Sequence, residues 1–228
     1  MTRGGRGGLA LRRAIVAAAR GMNALGINRG TSGNVSARFG DEVLITPSAL
    51  PYAAMRPHDV VALSADGTQR STPRRRPSTE WPLHLGVYAA RPDVEAIVHA
   101  HPICATALAC LRRDIPPFHY MVAVAGGSTI RCSRYATFGT QALADAAVAA
   151  LADRRACLLA NHGLVACGVT PDDALALAVE VETLAAQYWH ALQIGEPALL
   201  DADEMARVQQ RFSGYSAHRD KPRRHADD

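Results

Sequence analysis

The chain has 228 residues, 48% of them hydrophobic, enough for one domain that buries roughly 70 to 75% of its unfolded surface. No apolar run approaches the ~20 residues of a membrane span, the arginine-containing start lacks a signal peptide's apolar core and cleavage site, and five scattered cysteines suit a reducing compartment, so a cytoplasmic protein with no membrane partner is expected. The formal net charge of +4 is mild, and the seven arginines that precede the first acid, Asp41, have no aromatic interleaving or binding motif, which argues against nucleic acid and for small anionic partners.

Residues 1–8, glycine and arginine for the most part, read as a disordered arm ahead of a single domain over 9–215. From Leu9 the apolar positions Leu11, Ile15, Ala18, Met22 and Leu25 recur at three and four, predicting an amphipathic helix stopped by Gly26. The run Gly30, Thr31, Ser32, Gly33, Asn34 is a turn with little side-chain bulk, leading into the strand VSARF; such a turn can cradle a phosphate on backbone N–H groups or be only a turn. EVLITPSALPY predicts a strand ending in Thr46, Pro47 and Ser48. In DVVALSADGTQ the Asp66-Gly67 pair predicts a hairpin with a weak return arm, and Arg74 to Arg76 read as a solvated loop. Ser78 or Thr79 then caps a helix to about Ala90, with Pro82 in its first turn. Two hydroxyls and free N–H groups at a helix start make an anion site, and Glu80 projects from the same turn.

VEAIVHAHPICATALA follows, with His99 and His101 two apart at the end of an apolar strand. Side chains at i and i+2 share one face of a strand, so two imidazoles can converge on one metal ion. Pro102 holds His101 extended and presets the first turn of the next helix, where Cys104 reads as a buried helix cysteine. IPPFHYMVAVAGGSTI is a partly apolar segment carrying His119 and Tyr120. SRYATFGT is a loop, and Thr140 starts another helix. CLLANHGLVACG reads as two strands meeting at His162-Gly163, which makes His162 a candidate third ligand. A long helix from Pro171 to Ile194 has Thr170 as N-cap and closes at Gly195. A last helix begins near Asp201 and fades before Tyr215, leaving 216–228 as a polar tail.

All but one of the 25 basic residues are arginine, and the single lysine, Lys221, falls in that tail. A Schiff-base enzyme needs a lysine desolvated in a pocket. Stabilising a carbanion beside a carbonyl therefore calls for a metal here.

The segments GINRGTSGNVSARF, LITPSALPY, PSTEWPLHLGVYAARPD, IVHAHPICATAL, IPPFHYMVAVAGGSTI, YATFGT and LLANHGLVACG together resemble the class II aldolase/adducin family, nearest its L-fuculose-1-phosphate aldolase branch, over about Leu9 to Tyr215. The resemblance implies an α/β fold, a three-layer α/β/α domain with a mainly antiparallel central sheet, assembled as a homotetramer with active sites between subunits. By match of motif it implies His99, His101 and His162 as ligands of Zn2+ (or Mn2+ or Co2+), and Glu80 as a carboxylate that both ligates and serves as base. Gly33, Asn34, Ser48, Ala49, Ser78 and Thr79 match the phosphate pocket, Tyr120 matches a tyrosine that reaches a neighbouring subunit's site, and Phe138 and Tyr215 match residues on the aldehyde side. The implied reaction is reversible cleavage of a phosphorylated sugar, a ketose 1-phosphate of the L-fuculose 1-phosphate type, into dihydroxyacetone phosphate and a short aldehyde such as lactaldehyde. 5-Deoxyribulose and 5-methylthioribulose 1-phosphates of a salvage pathway are alternatives, as are dehydration, decarboxylation or epimerisation on the same fold. Glu80 argues against an epimerase, which resembles PSSD at that point, and the intact ligand set argues against a non-catalytic adducin-like scaffold. Two departures stand out: Ser48-Ala49 where relatives commonly carry Thr-Gly, and Asn161 where the close relative carries a second histidine.

Overall fold

A computed structural model describes residues 3–70 and 74–219, with side chains described over 7–70 and 74–212. The predicted first helix, α1 (Arg3–Ala24), turns its Ile15, Ala18, Ala19 and Met22 into the core. It reaches back into the stretch read as a disordered arm and ends at Gly26 in the left-handed conformation, φ 76°, which a Cβ would disfavour. Leu25, counted on the apolar stripe, is exposed.

Six strands follow: β1 (Asn34–Phe39), β2 (Glu42–Ile45), β3 (Val61–Ser64), β4 (Ala96–Ala100), β5 (Ala156–Leu159) and β6 (Gly163–Gly168). They form one sheet in the order β3-β2-β1-β4-β6-β5, and every neighbouring pair is antiparallel. The register sets the site, because His99 of β4 stands opposite Asn34 of β1 on one side and Val165 of β6 on the other.

Helices cover both faces. Alternation along each strand sends Val35, Ala37, Val98, Ala100, Leu158, Leu164 and Ala166 into a core with α1, α3 (Ile103–Cys110), α5 (Pro171–Ile194) and α6 (Ala202–Arg219). The alternate residues Ile97, Cys157, Leu159, Val165 and Cys167 pack against α2 (Trp81–Ala90) and α4 (Gln141–Ala150). Burying two faces of one sheet in this way gives the expected α/β/α layering. His99, next to Ile97 in this alternation, faces the α2 side.

Several local expectations hold with their predicted chemistry. Thr140 caps α4 by accepting from Leu143 N, and Thr170 caps α5 by accepting from Asp173 N. The Asp66-Gly67 return arm makes only an isolated bridge from Leu63 to Gln69. At α2 the outcome differs: neither Ser78 nor Thr79 caps the helix, whose N-cap is Glu80 itself, and Ser78 Oγ instead accepts from the Glu80 N–H at 3.3 Å. The last helix continues past Tyr215 to Arg219; the side chain of Tyr215 lies outside the described residues.

Candidate metal-dependent active site

Two tight turns assemble the site, one before β1 and one between β5 and β6. Gly33 ends the turn before β1, where an added Cβ would lie 2.6 Å from the His99 carbonyl oxygen and 2.8 Å from Asn28 Oδ1. Gly163 opens β6, where a Cβ would overlap the Ala100 carbonyl oxygen and come 2.7 Å from His101 Cδ2. The backbones on either side of β4 thus press in where it carries its histidines. Asn161, between β5 and β6, takes φ 55°, a left-handed conformation that asparagine tolerates better than most residues. Its backbone N–H donates to Ala109 O at 3.0 Å, which aims the following His162 inward.

The rings of His99, His101 and His162 meet edge to face with centroids 4.7 to 4.8 Å apart. One ligating atom from each, and one from Glu80, lie within 4.8 Å of one another. Glu80 Oε2 is 3.0 Å from His99 Nε2, and Oε1 is 3.2 Å from His162 Nε2. His99 Nδ1 lies 2.8 Å from Leu164 O; a carbonyl only accepts, so the Nδ1 proton donates there and Nε2 is the ring atom that faces the cluster.

The electrostatics match a cation site. Burial alone would raise the Glu80 carboxyl, but His99 and His162 outweigh it and hold it well below the usual carboxylate range. Burial, with His99 and His162 adding positive charge, pushes the His101 imidazole down to about 3, so it is a neutral donor at ordinary pH. Glu80 Oε1 is buried yet has no hydrogen bond of acceptable geometry, although His162 stands within ion-pair distance. An orphaned buried oxygen facing three imidazole nitrogens is what a divalent ion would satisfy. The donor set fits a metal of the zinc type.

Above the cluster opens a cleft of about 390 Å³. Gly33, Ser48, Ala49, Ser78, Thr79, Glu80, His101, His162 and Phe138 line it, so most of the residues singled out in the sequence converge. His99 lies fully buried beneath. Asn34 is not among the lining residues: its side chain is 1% exposed and donates from Nδ2 to Glu80 Oε2 at 2.9 Å. Strand alternation turns it away from the turn that Gly33 offers. Tyr120 is not among the lining residues; it is half exposed and stacks on Phe212 of α6 with ring centroids 6.4 Å apart.

Sequence reasoning left six lining residues out of its site set, Thr31, Ser32, Pro47, Tyr135, Ala136 and Asn161. The first two belong to the glycine turn already noted, and Tyr135 sits three residues before Phe138. It also missed Tyr52, whose buried hydroxyl donates to the Gly33 carbonyl and braces the turn. The signal was an aromatic closing an otherwise small, polar motif.

Residues 13–189 match the family described as Class II Aldolase and Adducin N-terminal domain. The chain is 52% identical over 214 residues to a 5-methylthioribulose-1-phosphate/5-deoxyribulose-1-phosphate aldolase of Rhodospirillum rubrum, covering 94% of this chain and 96% of that protein. It is 45% identical over 195 residues to the L-fuculose phosphate aldolase of Escherichia coli, covering 85% and 90%. Among solved structures, an L-fuculose 1-phosphate aldolase superposes with a TM-score of 0.86 at 37% identity, over 90% of this chain and 96% of that one.

Proposed function

The chain belongs to the class II aldolase and adducin family, and from that premise we propose that it is a metal-dependent aldolase cleaving 5-methylthioribulose 1-phosphate or 5-deoxyribulose 1-phosphate into dihydroxyacetone phosphate and a short aldehyde. The observation that carries the reaction type is the cluster of Glu80, His99, His101 and His162 at the floor of a cleft lined by Gly33, Ser48, Ala49, Ser78 and Thr79. The substrate follows from the 52% identity to the Rhodospirillum enzyme of that name. Sequence motifs alone pointed first to L-fuculose 1-phosphate, which stays the second reading because the Escherichia relative and the superposed structure carry that name.

Each residue then has a task. A divalent ion, Zn2+ by its fit to three imidazoles and a carboxylate, with Mn2+ or Co2+ as substitutes, would be held by the four-residue cluster and would supply Lewis acidity to the oxygens beside the bond that breaks. Ser48, Ser78 and Thr79 hydroxyls, with the backbone at Gly33 and Ala49, hold the phosphate away from the reacting carbons and so fix the reacting end. In condensation Glu80, kept as a carboxylate, takes the C3 proton of dihydroxyacetone phosphate; in cleavage it returns that proton as the C3–C4 pair is released. In condensation the Tyr120 phenol gives its proton to the aldehyde oxygen that becomes the C4 hydroxyl, and in cleavage the phenolate takes that proton back. Because Tyr120 stands outside its own cleft, it serves a neighbouring copy, and the active unit is a homo-oligomer, a tetramer by analogy with the family. Phe138 and Tyr135 offer apolar walls to a methyl or methylthio group, and Tyr215 would complete that side. Five unpaired cysteines support a cytoplasmic setting, and no described helix is long and apolar enough to cross a membrane.

The test compares kcat/KM for 5-methylthioribulose, 5-deoxyribulose and L-fuculose 1-phosphates in one buffer with the metal-loaded protein. The first two should be cleaved fastest, with overlap, because one methylene is worth only ~1 to 3 kcal/mol of discrimination. A preference of tenfold or more for L-fuculose 1-phosphate would reverse the order of the two readings. Cleavage of none, with dehydration or decarboxylation of another sugar phosphate, would remove the aldolase assignment.

A further inference from the structure

Glu80 is gripped from behind by a line of side chains that the reaction as described does not use. Glu80, His84 and Tyr88 fall at i, i+4 and i+8 along α2, one stripe of that helix. Asn34 and Ser36 fall at i and i+2 on β1, one face of that strand. The two rows interlock. Asn34 Nδ2 is 2.9 Å from Glu80 Oε2, His84 Nε2 bonds Asn34 Oδ1, His84 Nδ1 is 2.6 Å from Ser36 Oγ, and Ser36 Oγ is 2.8 Å from the Tyr88 hydroxyl. His84 and Ser36 have no exposed surface, and Asn34 and Tyr88 have 1% and 3%.

These contacts admit only one proton order. A carboxylate accepts, so Asn34 must turn its amide nitrogen to Glu80 and its oxygen to His84. His84 Nε2 must therefore carry the ring proton. Burial holds the imidazole neutral, at about 3, so Nδ1 is bare and accepts from the Ser36 hydroxyl. Ser36 in turn accepts from Tyr88. Behind Tyr88, the Arg38 guanidinium lies 4.7 Å over the ring. Every donor in the line points toward Glu80, and the line ends on one oxygen, Oε2, whereas Oε1 faces His162 Nε2 at 3.2 Å.

We propose that His84, backed by Ser36 and Tyr88, is a positioning residue for the reaction: through Asn34 it tethers Glu80 by Oε2 and so fixes the orientation in which the carboxylate meets the substrate proton. This rests on the reading of Glu80 as the base. Without the His84 N–H, the Asn34 amide oxygen loses its partner and only the bond to Glu80 restrains the amide; a rotated amide would present oxygen to the carboxylate. A geometric slip of about 1 Å at a proton-transferring group costs on the order of a hundredfold in rate.

The test uses two substitutions that split the imidazole. In H84Q the amide nitrogen reaches the place of Nε2 and keeps the donor to Asn34; in H84N the amide oxygen reaches the place of Nδ1 and keeps only the acceptor for Ser36. Both are assayed, metal-loaded, for exchange of the C3 proton of dihydroxyacetone phosphate, a reading that involves no aldehyde. H84Q should retain exchange within about threefold of the wild type, and H84N should lose tenfold or more in kcat with KM moved less than threefold and metal content unchanged. Equal rates in the two variants, or losses that follow melting temperature, would overturn the proposal. Separately, nitrogen-15 NMR of the histidine-labelled wild-type protein should find the His84 proton on Nε2; a proton on Nδ1 would overturn it even if neither variant folds. The tautomer measurement needs no substrate, so a wild-type enzyme that cleaves no ketose 1-phosphate would sink the functional reading while leaving this arm to be decided.

Discussion

Ala49 occupies a backbone conformation, φ 56°, that an L-residue with a Cβ enters at a cost of roughly 1 to 2 kcal/mol. It lines the cleft at the place where family motifs commonly carry glycine. A49G should therefore leave the unfolding midpoint within about 0.5 kcal/mol of the wild type, since relief of strain offsets the added chain entropy of glycine. The same change at Ala147, buried within α4, should cost about 1 kcal/mol or more. Denaturant titration of the two variants decides it, and equal losses would show that Ala49 carries no strain. At this scale the sequence was most informative about the ligands. His99 and His101 announce themselves because i and i+2 share a strand face, and His162 because it stands at a bend after an apolar strand. Asn34 shows the complementary limit: motif membership places a residue in a turn but does not say which way its side chain faces, and the first position of β1 points this one at Glu80.

Helix α3 begins at Pro102, which offers no side-chain cap. Its cap comes from another layer member: the Glu182 carboxylate of α5 accepts from Cys104 N at 2.9 Å and from Ala105 N at 2.7 Å. Removing it in E182A should cost about 1 to 2 kcal/mol, read as a fall of about 2 to 8 °C in melting temperature. It should also weaken metal binding by loosening the turn that holds His101. An unchanged metal affinity would confine the cap to stability. A second element-level tie lies in the short 3-10 turn Pro57–Asp59. Burial would raise the Asp59 carboxyl, but the Arg56 N–H and the Arg75 guanidinium outweigh it and hold it below its ordinary value. A carboxyl depressed in the folded state stabilises above its unfolded pKa of about 3.9 and loses that contribution as pH falls through the lower folded value. The melting-temperature gap between wild type and D59N should thus be open at pH 7 and close below about pH 4; a gap independent of pH would show that the tie is not electrostatic. Elements with their own caps and periodicity, α1, α4 and α5, were legible in the sequence. The start of α3 was not, because its partner, Glu182, comes from a distant part of the chain.

Across the whole molecule, the strand order β3-β2-β1-β4-β6-β5 had no local signature, since β1 and β4 pair over the intervening hairpin and α2. The antiparallel sheet and its two helical layers came from family resemblance, whereas the places where each strand begins and turns came from residues. That order also decides when the metal can act. Glu80, His99, His101 and His162 become neighbours only after β1, β4 and β6 lie side by side and α2 has docked, so the ligand set closes late on the folding path. Interactions absent from the transition state change escape from the native state and leave arrival almost untouched. In stopped-flow chevrons, saturating Zn2+ should slow unfolding by tenfold or more relative to chelator-treated protein, while refolding rates stay within about twofold. Faster refolding with metal would mean that the histidines gather early. With the expected result, the ion acts as a latch on a chain already folded, and its loss in the cell would shorten the life of the protein without hindering its birth.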